Sequence, residues 1–149
     1  MLVTAVAWRT PGRRPTSVAA VAGSGAPQRG LDAAVETLAS RSPVPVETDM
    51  ELDRRPPPNV ETAAYFVVAE ALTNVAKYAD ATHARVVARR LGGTFVIESR
   101  DDGKGGAAVG AGSGLRGLED RVGAVDGTLE VESPPGRGTV VRARFRLAP

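Results

Sequence analysis

The chain of 149 residues contains no cysteine. That excludes a disulfide, a thiolate metal centre and a cysteine nucleophile at once. Histidine is almost as scarce, since His83 stands alone, and one imidazole argues against a zinc site or a Ser–His triad. No apolar run approaches the ~18 residues that suggest a membrane span. Nothing reads as a secretory segment either, so a cytoplasmic protein without a membrane segment is the expectation. Lysine is limited to Lys77 and Lys104 beside seventeen arginines. Acid is missing from the first 30 residues, which carry Arg9, Arg13, Arg14 and Arg29. The other 119 residues hold fifteen basic and seventeen acidic side chains. Such near-neutrality argues against a dedicated nucleic-acid surface.

What is present fits one domain with a real core. Residues 1–29, rich in Ala, Gly, Pro, Ser and Arg without a sustained period, read as a disordered lead-in to a domain over residues 30–149. Leu31 to Ser40 has a helical face of Leu31, Ala34, Val35 and Leu38. Val44 to Met50 alternates as a strand. Two further strands, Ala84 to Leu91 and Thr94 to Arg100, flank Gly92-Gly93, and both glycines suit the positive φ of a two-residue hairpin. Leu115, Leu118, Val122 and Val125 mark another helix, with Ser113 as its N-cap. A last hairpin joins Thr128–Glu132 to Thr139–Leu147. In its second strand Val141, Ala143, Phe145 and Leu147 face inward, and Arg142, Arg144 and Arg146 read as a solvated face. Two hairpins in succession disfavour a doubly wound parallel sheet. The pattern predicts an α+β, two-layer sandwich: a mixed, mostly antiparallel sheet with helices on one face.

The organising stretch is Val60 to Ala79, with Asn59 placed to cap it. Its first half is apolar almost all round, as in a buried helix. Glu70, Thr73, Asn74 and Lys77 then share a wedge of roughly 100° over about 10 Å of axis. Such a wedge is either a helix end entering water or an acid, an amide and an ammonium presented to a ligand. Some thirty residues on, Asp101-Asp102-Gly-Lys-Gly opens a glycine-rich run that ends in Gly112-Ser113-Gly114 before Leu115. Glycine loops entering a helix N-terminus suit phosphate, although many are plain connections.

Four ordered segments together carry a resemblance. Glu70-Ala-Leu-Thr-Asn74-Val-Ala-Lys77-Tyr78-Ala79 resembles the N box of sensor histidine kinases. Asp101-Asp102-Gly103-Lys104-Gly105 resembles their G1 box, Gly112 to Leu118 their G2 box, and Pro135-Gly136-Arg137-Gly138-Thr139 their closing glycine motif. The GLRGLEDRV wording resembles the subfamily paired with NarL-type response regulators. The resemblance implies the Bergerat ATP-binding fold, with ATP and Mg²⁺ as cofactors. It implies that Asn74 ligates Mg²⁺, that Lys77 meets phosphate, and that Glu70 orders a Mg²⁺-bound water or acts as a base. Asp101 would accept from the adenine amine with Thr139 assisting. Gly103 and Gly105 would hinge the lid, and the Gly112 and Gly114 amides would cap phosphates. Tyr78, Ser113 and Leu115 are counted among the ATP-binding positions. Tyr78 stands where this subfamily usually has His.

The first 30 residues do not resemble the dimerising helical hairpin that holds the phosphoacceptor His in such kinases, and His83 reads as an ordinary surface histidine. The implied partner is therefore a dimerisation and phosphoacceptor domain outside this chain, and indirectly a NarL-type regulator. The chain alone is expected to be a monomer. Two alternatives remain open at this point: a nucleotide-binding interaction module that transfers nothing, and an anti-sigma-factor-like serine kinase on the same fold.

Overall fold

The computed structural model describes residues 30–78, 80–107 and 114–149. The lead-in expected over residues 1–29, together with Gly112 and Ser113 and the cap assigned to Ser113, lies outside the described residues. The elements run α1 (Leu31–Ser40), β1 (Val46–Glu51), α2 (Pro58–Lys77), β2 (Ala84–Leu91), β3 (Thr94–Asp101), α3 (Leu115–Gly123), β4 (Gly127–Glu132) and β5 (Thr139–Arg146).

The five strands form one sheet in the order β1-β2-β3-β5-β4. Only β1 and β2 pair in parallel, and the other three pairings are antiparallel. Parallel neighbours need a crossover, and α2 supplies it. That connection lays α2 across the sheet face, which is why the longest helix is also the most buried. Period-2 alternation sends Ala84, Val86 and Ala88 of β2, Phe95 and Ile97 of β3, and Val141, Ala143 and Phe145 of β5 to the inner side. There they share one core with Val60, Ala64, Val67, Val68, Ala71, Leu72 and Val75 of α2. Phe95 and Phe145 are register partners, and their rings stack with centroids 6.0 Å apart. Leu31 and Val35 of α1, and Leu115, Leu118 and Val122 of α3, complete the helical layer. Arg121 of α3 lies over the Phe66 ring of α2, 4.1 Å from its centroid, so even the outer contact between these helices is specific.

Three local expectations need correction. Asn59 does not cap α2, because the helix begins at Pro58 after Pro57 and uses no side-chain cap. Proline fits this first position with its φ already set and no N–H to satisfy. Asn59 instead accepts from the Val60 N–H with Oδ1 at 3.0 Å. In the first hairpin only Gly92 takes a positive φ, 59°. The outer face of β5 is not simply solvated either. Arg142 is 4% exposed and Glu98, directly opposite on β3, is also 4% exposed. Glu130 flanks Arg142 from β4, in register on its other side. Arg142 Nη2 meets Glu98 Oε2 at 2.7 Å and Nη1 meets Glu130 Oε2 at 3.3 Å. Burial works against the Arg142 charge, but these two carboxylates outweigh it and hold its pKa above the usual arginine value. At the other side of the sheet Arg89 and Arg85 meet Asp49 at 2.6 and 3.3 Å. The outer face is thus a set of acid and arginine strips that neutralise one another across strands.

Candidate functional site

The register places three chain segments at one end of the sheet. Ala84 opens β2, Asp101 closes β3 and Thr139 opens β5, and the three are consecutive Cα partners. By alternation Asp101 and Thr139 continue the inward row of Phe95, Ile97 and Ser99 to its end, where the apolar core runs out. Asp101 is half-buried there, and Oδ1 accepts the Gly103 N–H at 2.8 Å. Burial pushes its carboxyl pKa up, and hydrogen bonds from the Gly103 and Thr139 backbone amides only partly oppose this. A desolvated acceptor at the rim of a core is suited to a ligand N–H donor.

Asp102, one residue on, is committed elsewhere. Its Oδ1 accepts the backbone N–H groups of Thr82 at 2.8 Å and His83 at 3.1 Å. Its Oδ2 takes the Thr82 hydroxyl and lies 2.9 Å from His83 Nδ1. The Thr82 hydroxyl first, and then the His83 backbone N–H, hold its pKa down at about 2. Sequence reasoning singled out Asp101 and gave Asp102 no role; the structure gives Asp102 partners of its own. His83 is exposed as expected, but it is also the partner of Asp102.

The glycine loop that follows is fastened to the turn before β5. Gly136 N–H donates to Lys104 O at 2.6 Å and Gly106 N–H to Ser133 O at 2.8 Å. Ser133 Oγ accepts from Ala107 N–H at 2.9 Å and lies 2.6 Å from Thr139 Oγ1. This tight approach explains two glycines. A Cβ on Gly105 would stand 2.1 Å from Pro134 O, and one on Gly138 would stand 2.0 Å from Asp101 O. Both residues also have positive φ, 66° and 73°. Ser133 is a site-building residue that sequence reasoning missed, and a lone serine before two prolines carries no signal of that role.

Helix α2 brings the other groups. Its C-terminal end connects through residues 78–83 to Ala84, so Glu70, Asn74 and Lys77 lie on the part of the helix that approaches this same end of the sheet. Glu70 and Asn74 are half-buried, whereas Lys77 and Tyr78 are exposed. The Glu70 carboxylate lies against Gly114, the residue before α3, so closely that a Cβ there would stand 2.1 Å from Oε1. Leu115, beside it, is fully buried in the core and anchors that helix start. Gly103 is buried too. Gly112 and Ser113 lie outside the described residues, so the G2-like segment is described from Gly114 to Leu118.

Among the described residues no group of three or more His, Cys, Asp or Glu could cage a metal ion. One carboxylate and one amide a helical turn apart instead fit Mg²⁺ in the way it is usually held, with few protein oxygens and the rest of the shell from phosphates and water. A cleft of about 730 Å³ lined by Thr94, Thr128, Arg144 and Arg146 lies at the opposite end of the sheet and contains none of these residues.

Residues 59–149 match the family described as histidine kinase-, DNA gyrase B-, and HSP90-like ATPase. The sensor histidine kinase YxjM of Bacillus subtilis (strain 168) is 36% identical over 91 residues, 61% of this chain and 22% of that protein. The oxygen sensor histidine kinase NreB of Staphylococcus carnosus (strain TM300) is 36% identical over 86 residues, 55% of this chain and 25% of that protein. The match thus spans about a quarter of each relative's length. The histidine kinase domain of the blue-light activated kinase of Erythrobacter litoralis EL346 shares the fold with TM-score 0.64 at 20% identity, covering 78% of this chain and 58% of that one. The histidine kinase AdeS of Acinetobacter baumannii does so with TM-score 0.59 at 14% identity, covering 80% and 62%. With the matched family spanning most of the described domain, the chain belongs to the histidine kinase-, DNA gyrase B- and HSP90-like ATPases, and sensor histidine kinases are among its relatives.

Proposed function

We propose that residues 30–149 form the ATP·Mg²⁺-binding catalytic domain of a sensor histidine kinase, acting in the cytoplasm on a dimerisation domain that carries the phosphoacceptor His. The observation that carries this reading is the convergence of Asp101, Thr139, the fastened glycine loop and the polar end of α2 at one end of the sheet. In it, Asp101 accepts from the adenine amine, with Thr139 beside it. Asn74 ligates Mg²⁺ and Lys77 meets phosphate oxygens. Glu70 sits against the start of α3, where it can hold a metal-bound water or accept the proton lost by the attacking imidazole. Tyr78, Gly103, Gly105, Gly112, Ser113, Gly114 and Leu115 are the remaining ATP-binding positions. Mg²⁺, when bound, neutralises phosphate charge; the chain's own contribution is positioning, which dominates phosphoryl transfer. The GLRGLEDRV segment supports a partner kinase subfamily that signals to NarL-type response regulators.

The test is calorimetry of ATP with and without Mg²⁺, on the wild type and on Asn74→Ala. The reading expects Mg²⁺-dependent ATP binding in the wild type only, with adenosine binding nearly unchanged by the substitution. Unchanged Mg²⁺-dependent binding in the variant would return the α2 wedge to a solvated face. Labelled ATP with the dimerisation domain of a related kinase then reports transfer. Acid-labile label on that domain supports the kinase, acid-stable label indicates a serine kinase, and none indicates a binding module.

A further inference from the structure

We infer that Asp102 is a positioning residue that joins the two halves of the nucleotide site by clasping Thr82 and His83; the inference rests on the nucleotide-binding reading above. The site is assembled from two separately connected parts. Asp101 ends β3, whereas Glu70, Asn74 and Lys77 ride on α2. The chain between Lys77 and Ala84 is a short link, and within it Asp80 takes a left-handed φ of 48°. Regular structure alone does not fix such a link, because no helix or strand ladder covers its described residues.

Asp102 does fix it. Its two oxygens accept two backbone N–H groups and one hydroxyl, and Oδ2 lies 2.9 Å from the His83 imidazole, all on adjacent residues of the link. Its own N–H lies 3.4 Å from His83 O, a weaker bond in the opposite sense. The clasp therefore sits between the adenine-side carboxylate, its immediate neighbour in sequence, and the helix that carries the phosphate-side groups. ATP spans both parts, and its affinity depends on their spacing, because small misplacements of a bound group carry large costs. Asp102 itself is directed at the link and needs no contact with the ligand. Its neighbour Asp101, with Oδ1 taken by Gly103 N–H and its side chain on the inner row, stays aimed at the site.

The experiment uses the full chain and four proteins: wild type, Asp102→Ala, Asp102→Asn and Thr82→Val. Calorimetry gives affinities for ATP and adenosine, and amide exchange by NMR follows the Thr82 and His83 N–H groups. Asparagine can keep the clasp, since Oδ1 accepts both backbone N–H groups and Nδ2 donates to Thr82 Oγ1 or to neutral His83. We expect Asp102→Ala to weaken ATP about tenfold and adenosine no more than about threefold, with faster exchange at both amides. Asp102→Asn should stay within about threefold of wild type for ATP with both amides protected, and Thr82→Val should fall between. Three results would overturn the inference. The first is ATP affinity in Asp102→Ala within about twofold of wild type once the amides have lost protection. The second is equal weakening by Ala and Asn, which would make charge, not the clasp, the cause. The third is equal weakening of ATP and adenosine, which would mean that the clasp orients Asp101 alone. If Asp102→Ala does not fold, Thr82→Val against Asp102→Asn carries the same comparison. A wild type that binds no ATP sinks the nucleotide reading and this inference with it, and the amide exchange still reports whether the clasp forms.

Discussion

At the scale of single residues, the two adjacent aspartates have opposite electrostatic situations. Asp101 is desolvated with its pKa raised, and Asp102 is solvated, saturated with donors and lowered to about 2. If Asp101 accepts from adenine, Asp101→Asn can place an amide donor where an acceptor is needed. A mismatch of that kind costs about 1–3 kcal/mol, or roughly one to two decades in ATP affinity by calorimetry. The acid side concerns Asp102. Its unfolded pKa is near 3.8 and its native pKa about 2. Between those values the unfolded chain binds the extra proton, so this contribution to stability is complete above the higher value and is lost as pH falls through the lower one. Asp49, lowered by its hydrogen bond with Arg89, titrates in the same sense. Melting temperatures of Asp102→Asn should therefore decline less steeply than wild type across this window without becoming flat. Gly114 supplies a further check, since alanine there must displace the flexible Glu70 carboxylate but meets no strained φ. If Glu70 is the general base, Gly114→Ala should leave melting almost unchanged while slowing phosphoryl transfer in trans about a hundredfold, the lower bound for a lost general base.

At the scale of elements, α1, β2 and the inner faces of β3 and β5 were legible because helical and strand periods are local properties of the chain. Val141, Ala143 and Phe145 fall inward by counting alone. The outer face was legible only in part. Arg146 is exposed as read, but Arg142 is buried because register, which one strand cannot reveal, sets it between Glu98 and Glu130. Removing Arg142 leaves Glu98 buried with Arg100, at 3.1 Å, as its remaining partner. Arg142→Met should cost about 3 kcal/mol in chemical denaturation, the lower end for breaking a buried pair. The same variant with Glu98→Gln added should recover part of that loss, which a simple packing defect would not. The site followed the same division. Glycines at positions 105 and 138 were visible as glycines, but the carbonyls of Pro134 and Asp101 that demand them lie far away in sequence.

On the scale of the whole molecule, one histidine serves the 149 residues, and it is held by Asp102 at the base of a strand. Transfer requires the attacking nitrogen within about 3–3.5 Å of the reacting phosphorus, in line with the leaving oxygen. A ring held against Asp102, next to Asp101, lacks that reach. The chain incubated alone with labelled ATP should accordingly take up no acid-labile label, and His83→Ala should behave identically. Label on the wild type that disappears in this variant would make His83 the acceptor and reverse the assignment.

The strand order has one more consequence, for synthesis. Because β5 is inserted between β3 and β4, the last of these five strands to leave the ribosome is an interior one. Until it arrives, β3 presents an open edge bearing Phe95 and Ile97, and the turn that fastens the glycine loop is not yet pinned to the sheet through β5. A nascent chain stalled before Thr139 is therefore blind to nucleotide and exposed to edge-to-edge aggregation, so ligand can select only finished molecules.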